Sequence, residues 1–228
     1  MRRIDTPEVL DSPDCPPAEV ETSLRDLCRI NRWFGGVSTT RWLLEHVARE
    51  RRLNRLSMLN VASGIGEVPR LAARRLARKG IAIDVTSSDV KLSHLIEQPR
   101  SVVADGLALP FADGSFDVVG CNLFAHHLAP DALACFVREG LRVSRHALVI
   151  NDLVRDRRHL MLVYLGFALM RSYASRVDGV ASVKRAYVPE EIREIVLEAF
   201  PRDCQPRVEV SRHYLFRMGV IVWKQAAG

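Results

Sequence analysis

The chain has no Cys-x-x-Cys pair, and its five cysteines, at positions 15, 28, 121, 135 and 204, are odd in number. A disulfide scaffold and a cysteine zinc site are thereby set aside, and a reducing cytoplasm is the expected setting. Long apolar runs are missing as well. The stretch Leu160 to Met170 has eleven residues, whereas a bilayer span needs about 20. It is expected as a buried core or lid helix, without stable membrane insertion. No apolar segment follows Arg2 and Arg3, so no signal peptide is read, and residues 1–16, rich in Pro and Asp, are expected to form a flexible leader. There is no internal repeat and no low-complexity segment. Clustered His, Asp and Glu at ligand spacing are also lacking, and the adjacent His126 and His127 tend to diverge, so no metal is expected.

What is present suits one domain with a full core: 228 residues, 48% hydrophobic and 26% charged. The net charge of +6 permits attraction to nucleic acid, anionic lipid or an acidic substrate. The arginines at 70, 74, 75 and 78 and at 155, 157 and 158 do not form one block, and they read as solvated helix faces. Helices are expected at about Pro17 to Asn31 and Ser38 to Leu53 as an N-terminal cap. Strands near 57–62, 81–88, 101–104, 116–121 and 146–151 alternate with helical segments, which implies a parallel, doubly wound sheet. A cofactor-binding core over 54–155 and a lid insert over 156–190 complete a single domain, 17–228. Within the insert, Arg155 to Ser172 is expected to be helical. Pro189 to Phe200 is a further helix, and Arg207 to Lys224 is a terminal antiparallel strand pair.

The stretch from Met58 to Asp89 reads strand, glycine turn, helix, strand, acidic residue. Gly64 and Gly66 let a ligand approach the backbone, and Asp89 stands where a carboxylate can accept from both ribose hydroxyls. A dinucleotide fingerprint wants a third glycine where this chain has Pro69, which disfavours a nicotinamide oxidoreductase. Taken singly, each residue also fits a plain turn or a helix cap. Their order and spacing together favour a cofactor site.

Leu59-Asn60-Val61-Ala62-Ser63-Gly64-Ile65-Gly66-Glu67 resembles the first motif of the class I S-adenosylmethionine-dependent methyltransferases, with Asn60 in place of the usual acid and Ala62 in place of the first glycine. Ala104-Asp105-Gly106, Leu109-Pro110-Phe111 and Asp113 to Val119 continue the resemblance, which covers residues 57–152. It implies a Rossmann-like, seven-stranded, mostly parallel sheet with an antiparallel C-terminal strand, and S-adenosyl-L-methionine as cofactor. It further implies that Ala62, Ser63 and Gly64 hold the methionine part, that Asp89 holds the ribose and that Asp105 holds the adenine amino group. Asn60 would steady the turn, and Gly66, Val90, Gly106 and Asn122 complete the cofactor set. Asn122 to Leu128 lacks the Pro-Pro-aromatic element of base amino-methyltransferases, so a nucleic-acid substrate is not expected.

Methyl transfer requires alignment, exclusion of water and, for a phenol or enol, removal of a proton. His127 and His126 follow the fourth strand, where the methyl donor should lie, and a histidine titrates in the range that suits a base. The apolar insert, with Trp33, Phe34 and Trp42, points to a small, largely hydrophobic acceptor such as a polyketide-type hydroxyl. Arg32, Trp33, Asn151, Arg185 and Tyr187 are candidate contacts to it, with Arg29 and Asn31 beside them. O-methylation is the first expectation, by a monomer or homodimer. C-methylation of a quinone or aromatic ring, and a cofactor-binding partner protein with weak or no catalysis, are the alternatives.

Overall fold

The computed structural model describes residues 1–12, 14–95 and 98–225. Helices α1 (Pro17–Trp33) and α2 (Gly36–Glu50) come first. Gly35 between them has φ 88°, a left-handed conformation that a side chain would resist, so the chain turns there without strain. Next come β1 (Arg55–Val61), α3 (Glu67–Ala77), β2 (Ala82–Asp89), β3 (Ser101–Val103), β4 (Phe116–Asn122), α4 (Pro130–Val143) and β5 (Ser144–Leu153). The five expected strands fall within two residues of these bounds.

The strands lie in the order β3-β2-β1-β4-β5-β7-β6, where β6 is Arg207–His213 and β7 is Arg217–Trp223. The pairings from β3 to β5 are parallel, and β7 is antiparallel to both β5 and β6. This is the doubly wound, mostly parallel seven-stranded sheet that the alternation implied. Strand order reverses between β1 and β4, and ligands of such sheets bind at the carboxyl ends of the strands at that switch. One face buries Leu133, Phe136 and Val137 of α4 with Ile192 and Val196 of α7 (Pro189–Glu198). The other buries Leu43, Leu44 and Val47 of α2 with Ala72 and Leu76 of α3. A leucine or phenylalanine buried this completely contributes roughly 1.5–3 kcal/mol, so the two layers hold the strand ends in fixed relation.

Two expectations, the buried apolar helix and the flexible leader, meet a different structure. The run Leu160 to Met170 is not a buried helix: it spans the end of α5 (Arg157–Leu165) and a 3-10 turn at Gly166–Leu169, and Met161, Leu162, Tyr164, Leu165 and Leu169 are exposed. Only one side of this segment has anything to pack against, so most of its apolar surface meets solvent. Within the expected lid insert, residues 176–185 belong to a regular helix, α6 (Tyr173–Arg185), with a Ser172 cap. Residues 1–12 run across α6. Ile4 N–H donates to Lys184 O (3.1 Å), and Val9 and Leu10 N–H donate to Asp178 (2.6 and 3.1 Å). The Arg3 guanidinium donates to Arg185 O at 2.7 Å and to His126 O at 3.1 Å. These contacts are tertiary, and composition gives no sign of them.

Candidate active site

The glycine turn is built from both sides. Ser63 N–H donates to Ser88 O (2.9 Å), and Gly64 N–H to Asp89 Oδ2 (2.9 Å), so β2 sets the turn's position. Gln98 Nε2 donates to Gly64 O at 2.7 Å, and a Cβ on Gly66, which sits at φ 65°, would lie 2.2 Å from Gln98 Oε1, so a side chain there would be strained and would displace the Gln98 amide. Ala62 adopts φ 49°, where alanine carries the strain that a glycine would not. Ala62→Gly is therefore expected to raise stability by up to about 1 kcal/mol, the relief of strain less glycine's extra chain entropy. An unchanged urea midpoint would show that no strain resides there.

Ala62, Ser63, Gly64 and Gly66 line a cavity of about 130 Å³ together with Asn60, Asn122, Leu123 and, from α1, Leu24, Leu27, Cys28 and Asn31. The α1 residues roof the cleft, and of these the sequence reading named Asn31 alone. Its floor is a neutral amide network. Asn122 Nδ2 donates to Asn60 Oδ1 (3.1 Å), Thr40 Oγ1 donates to Asn122 Oδ1 (2.5 Å), and Asn151 Nδ2 donates to Thr40 Oγ1 (2.8 Å) and Gly36 O (2.8 Å). Asn151 thus braces the floor. Burial pushes the Cys28 thiol up to about 12, with Glu67 adding to the effect, so this cysteine stays protonated. Asp89 ends β2; burial raises its carboxyl, but His94 and the N–H groups of Lys91 and Gly64 outweigh this and hold it below the usual range. Val90 is exposed and Asp105 is exposed, its carboxylate accepting Leu107 N–H at 2.9 Å. Gly106 packs where a Cβ would come within 2.9 Å of Val61.

A second cavity, of about 160 Å³, abuts the first, and Leu27 and Leu123 line both. Leu123 has φ 55°, a strained conformation for a branched side chain, and such strain gathers at functional sites. Leu10, Ile30, Leu153, Val163, Met170 and Val183 give the second cavity apolar walls; Glu8, His126, His127, His159 and Arg217 are its titratable lining apart from Asp178. His126 and His127 sit on a 3-10 turn after β4, their rings 4.3 Å apart.

His126 is fully enclosed between two carboxylates. Its Nδ1 is 2.7 Å from Asp152 Oδ1, its backbone N–H donates to Asp152 Oδ2 at 3.1 Å, and its Nε2 lies 3.5 Å from Glu8 Oε1. Burial disfavours the imidazolium, but Asp152 and Glu8 outweigh it and lift His126 to about 9. His126 is therefore a cation at neutral pH. Burial likewise raises Glu8 and Asp152, yet the histidines hold both below the usual carboxylate range. Glu8, His126 and His127 bring ligand atoms within 4.8 Å of one another, so the adjacent histidines converge instead of diverging as expected and form a set able to face a metal ion, while the imidazolium offsets one of the two buried negative charges. Ser182 Oγ donates to Glu8 Oε1 at 2.7 Å, and His127 Nε2 lies 3.7 Å from Glu8 Oε2.

Arg217, the first residue of β7, is also buried. Its Nη2 donates to Asn31 Oδ1 at 2.7 Å, while Nη1 has no hydrogen-bond partner. Burial lowers it to about 10, with Asp152 opposing, so it remains charged at neutral pH. Arg32, Trp33, Asn151, Arg185 and Tyr187, the five expected acceptor contacts, line neither cavity: Arg32 pairs with Glu67 (2.5 Å), Trp33 is 73% exposed, and Asn151 lies beneath the amide network. Arg185 donates to His127 O (3.0 Å) and Tyr187 to Leu128 O (2.7 Å), so both hold the histidine turn from behind. Glu8 carries no local sequence signal. Arg217 does: it is the one charge in the apolar run Leu215 to Trp223.

A doubly wound sheet in this order, with a glycine-turn cleft at the switch between β1 and β4, defines a class I methyltransferase fold. Residues 59–147 match the family model described as a methyltransferase domain. The chain thus carries a segment that matches a methyltransferase domain, within a fold shared with S-adenosylmethionine-dependent methyltransferases. Among solved structures, it is similar to the plantazolicin methyltransferase BpumL in complex with S-adenosylhomocysteine, at 11% identity and TM-score 0.69, covering 95% of this chain and 93% of that one. A SAM-dependent methyltransferase from Aquifex aeolicus is 17% identical, with TM-score 0.57 over 90% of this chain and 97% of that one. Magnesium protoporphyrin IX methyltransferase from Synechocystis PCC 6803 is 14% identical, with TM-score 0.55 over 84% of each chain. No curated protein sequence matches.

Proposed function

We propose that the chain methylates the acidic hydroxyl, phenolic or enolic, of a small and largely hydrophobic acceptor held in the second cavity. The observation that carries this reading is the contact between the cavities: the glycine-turn cleft and an apolar chamber share Leu27 and Leu123, with His127 in the chamber wall. When bound, the cofactor supplies an electrophilic methyl group on a sulfonium. His127 takes the hydroxyl proton, and Glu8, 3.7 Å away, favours the imidazolium that results. Leu27, Leu123 and Val163 exclude water. His126, already protonated, is no base; with Asp152 it fixes the turn that aims His127, while Arg217 adds positive potential toward the developing oxyanion. Solved structures of the same fold include a plantazolicin methyltransferase and a magnesium protoporphyrin IX methyltransferase, which supports a small-molecule acceptor here.

Asp89, at the end of β2 and tied to the turn through Gly64 N–H, receives the ribose hydroxyls, and the turn at Ala62 to Gly64 receives the methionine portion. Asp89→Ala is expected to weaken S-adenosylhomocysteine binding by at least about 1 kcal/mol, through loss of charge-assisted hydrogen bonds. Equal affinity by calorimetry would remove Asp89 from the ribose site. Incubating the enzyme with S-adenosylmethionine and long-chain phenols or pyrones, followed by product analysis, tests the acceptor class. An O-methyl product supports the reading, whereas a C-methyl product moves the reaction to ring carbon.

A further inference from the structure

From Arg157 to Tyr173 the chain contains no Asp or Glu, and it presents Met161, Tyr164, Leu165, Leu169 and Tyr173 to solvent at 51–70% exposure. Such a contiguous apolar surface on a folded domain marks an interaction site. Arginines flank it: Arg157 and Arg158 open α5, and Arg171 follows the 3-10 turn. Among the described residues, no carboxylate forms an ion pair with any of the three. Arg29 of α1, which is paired with Asp26, reaches Leu169 O at 3.4 Å at the rim. Among the described residues no helix is long and apolar enough to cross a membrane. A short helix with a leucine and tyrosine face bordered by arginines instead suits the boundary between headgroups and acyl chains. A second copy of the chain would bring these arginines against one another with no acid on the segment to meet them.

We propose that the face formed by α5 and the Gly166–Leu169 turn docks on an anionic lipid bilayer. Val163 of the same helix, and Met170 at the end of the turn, line the acceptor cavity, so the element that touches lipid on one side walls the chamber on the other. This deepens the apolar-acceptor reading by naming where such an acceptor would be met. The full-length chain should float with vesicles of equimolar phosphatidylcholine and phosphatidylglycerol but not with phosphatidylcholine alone, and binding should fall as salt is raised. Leu165→Glu with Leu169→Glu should lower the partition coefficient at least about tenfold, and Arg157→Ser with Arg158→Ser should lower it less. S-adenosylhomocysteine binding, unchanged in both variants, reports that the fold and cofactor site are intact, and it separates failure here from failure of the catalytic reading. Equal binding to both vesicles, no binding to either, or a concentration-dependent dimer broken by the double glutamate variant would overturn the proposal.

Discussion

His126→Ala is expected to cost about 3–5 kcal/mol of stability, the range for removing one member of a buried ionic set. The substitution leaves Glu8 and Asp152 enclosed without the cation that lies between them. In the native chain His126 and Asp152 are each only 2% exposed. Urea unfolding measures the loss. A midpoint close to that of the native chain would mean that the two carboxylates take up protons at little cost, and that the charge balance drawn above is wrong. The pH dependence gives a second reading. The folded chain holds the His126 proton with a pKa near 9, against an ordinary value of 6.5. The stability this supplies is fully present below pH 6.5 and is lost as pH climbs through 9. Glu8 and Asp152, both lowered, contribute stability that is present above their ordinary values of 4.5 and 3.8 and is lost on acidification. The gap between the native chain and His126→Asn should therefore narrow between neutral pH and pH 9.5 or so. A gap that stays constant would show that proton binding at His126 is not linked to folding.

The sheet could be read from the chain because parallel strands buried on both faces leave continuous apolar runs, and the turn between β1 and α3 needs glycine where the backbone turns left-handed. Asn60, Ala62, Ser63, Gly64, Gly66 and Asn122 gather around one cleft because they all sit at the carboxyl ends of adjacent strands. The acceptor side was less legible. Its lining comes from residue 8, from α1, from α5 and α6 and from β7, elements far apart in sequence that meet only through tertiary packing. Arg185 and Tyr187 looked like ligand contacts because they are polar residues in the lid region. In the structure their polar groups are spent on the carbonyls of His127 and Leu128. The apolar run Leu160 to Met170 misled for a related reason. Periodicity reports which residues are apolar, and it cannot report whether a neighbouring element is there to cover them.

His127→Ala is expected to lower kcat by about 10²–10⁴-fold, the usual worth of a positioned general base, while the affinity for S-adenosylhomocysteine stays the same. The two effects separate because His127 lines the acceptor cavity and not the cofactor cleft. The backbone of the turn should survive the change, since His127 N–H donates to Phe124 O at 3.0 Å and its carbonyl accepts from Arg185, neither through the ring. His127→Gln keeps polar bulk in the wall but supplies no comparable base, so it should be as slow as the alanine variant if proton removal is what the ring provides. A glutamine variant that recovers native turnover would assign the ring to packing instead. Glu8→Gln gives the complementary reading. It removes the negative charge 3.7 Å from the His127 ring without removing the base, so turnover should fall by less than in His127→Ala. Equal losses in the two variants would mean that the carboxylate, and not the imidazole, accepts the proton. The acceptor's own acidity then distinguishes oxygen from carbon as nucleophile. For a hydroxyl acceptor, the defect in His127→Ala should shrink as more acidic phenols are supplied, because an acceptor that is already ionised needs no base.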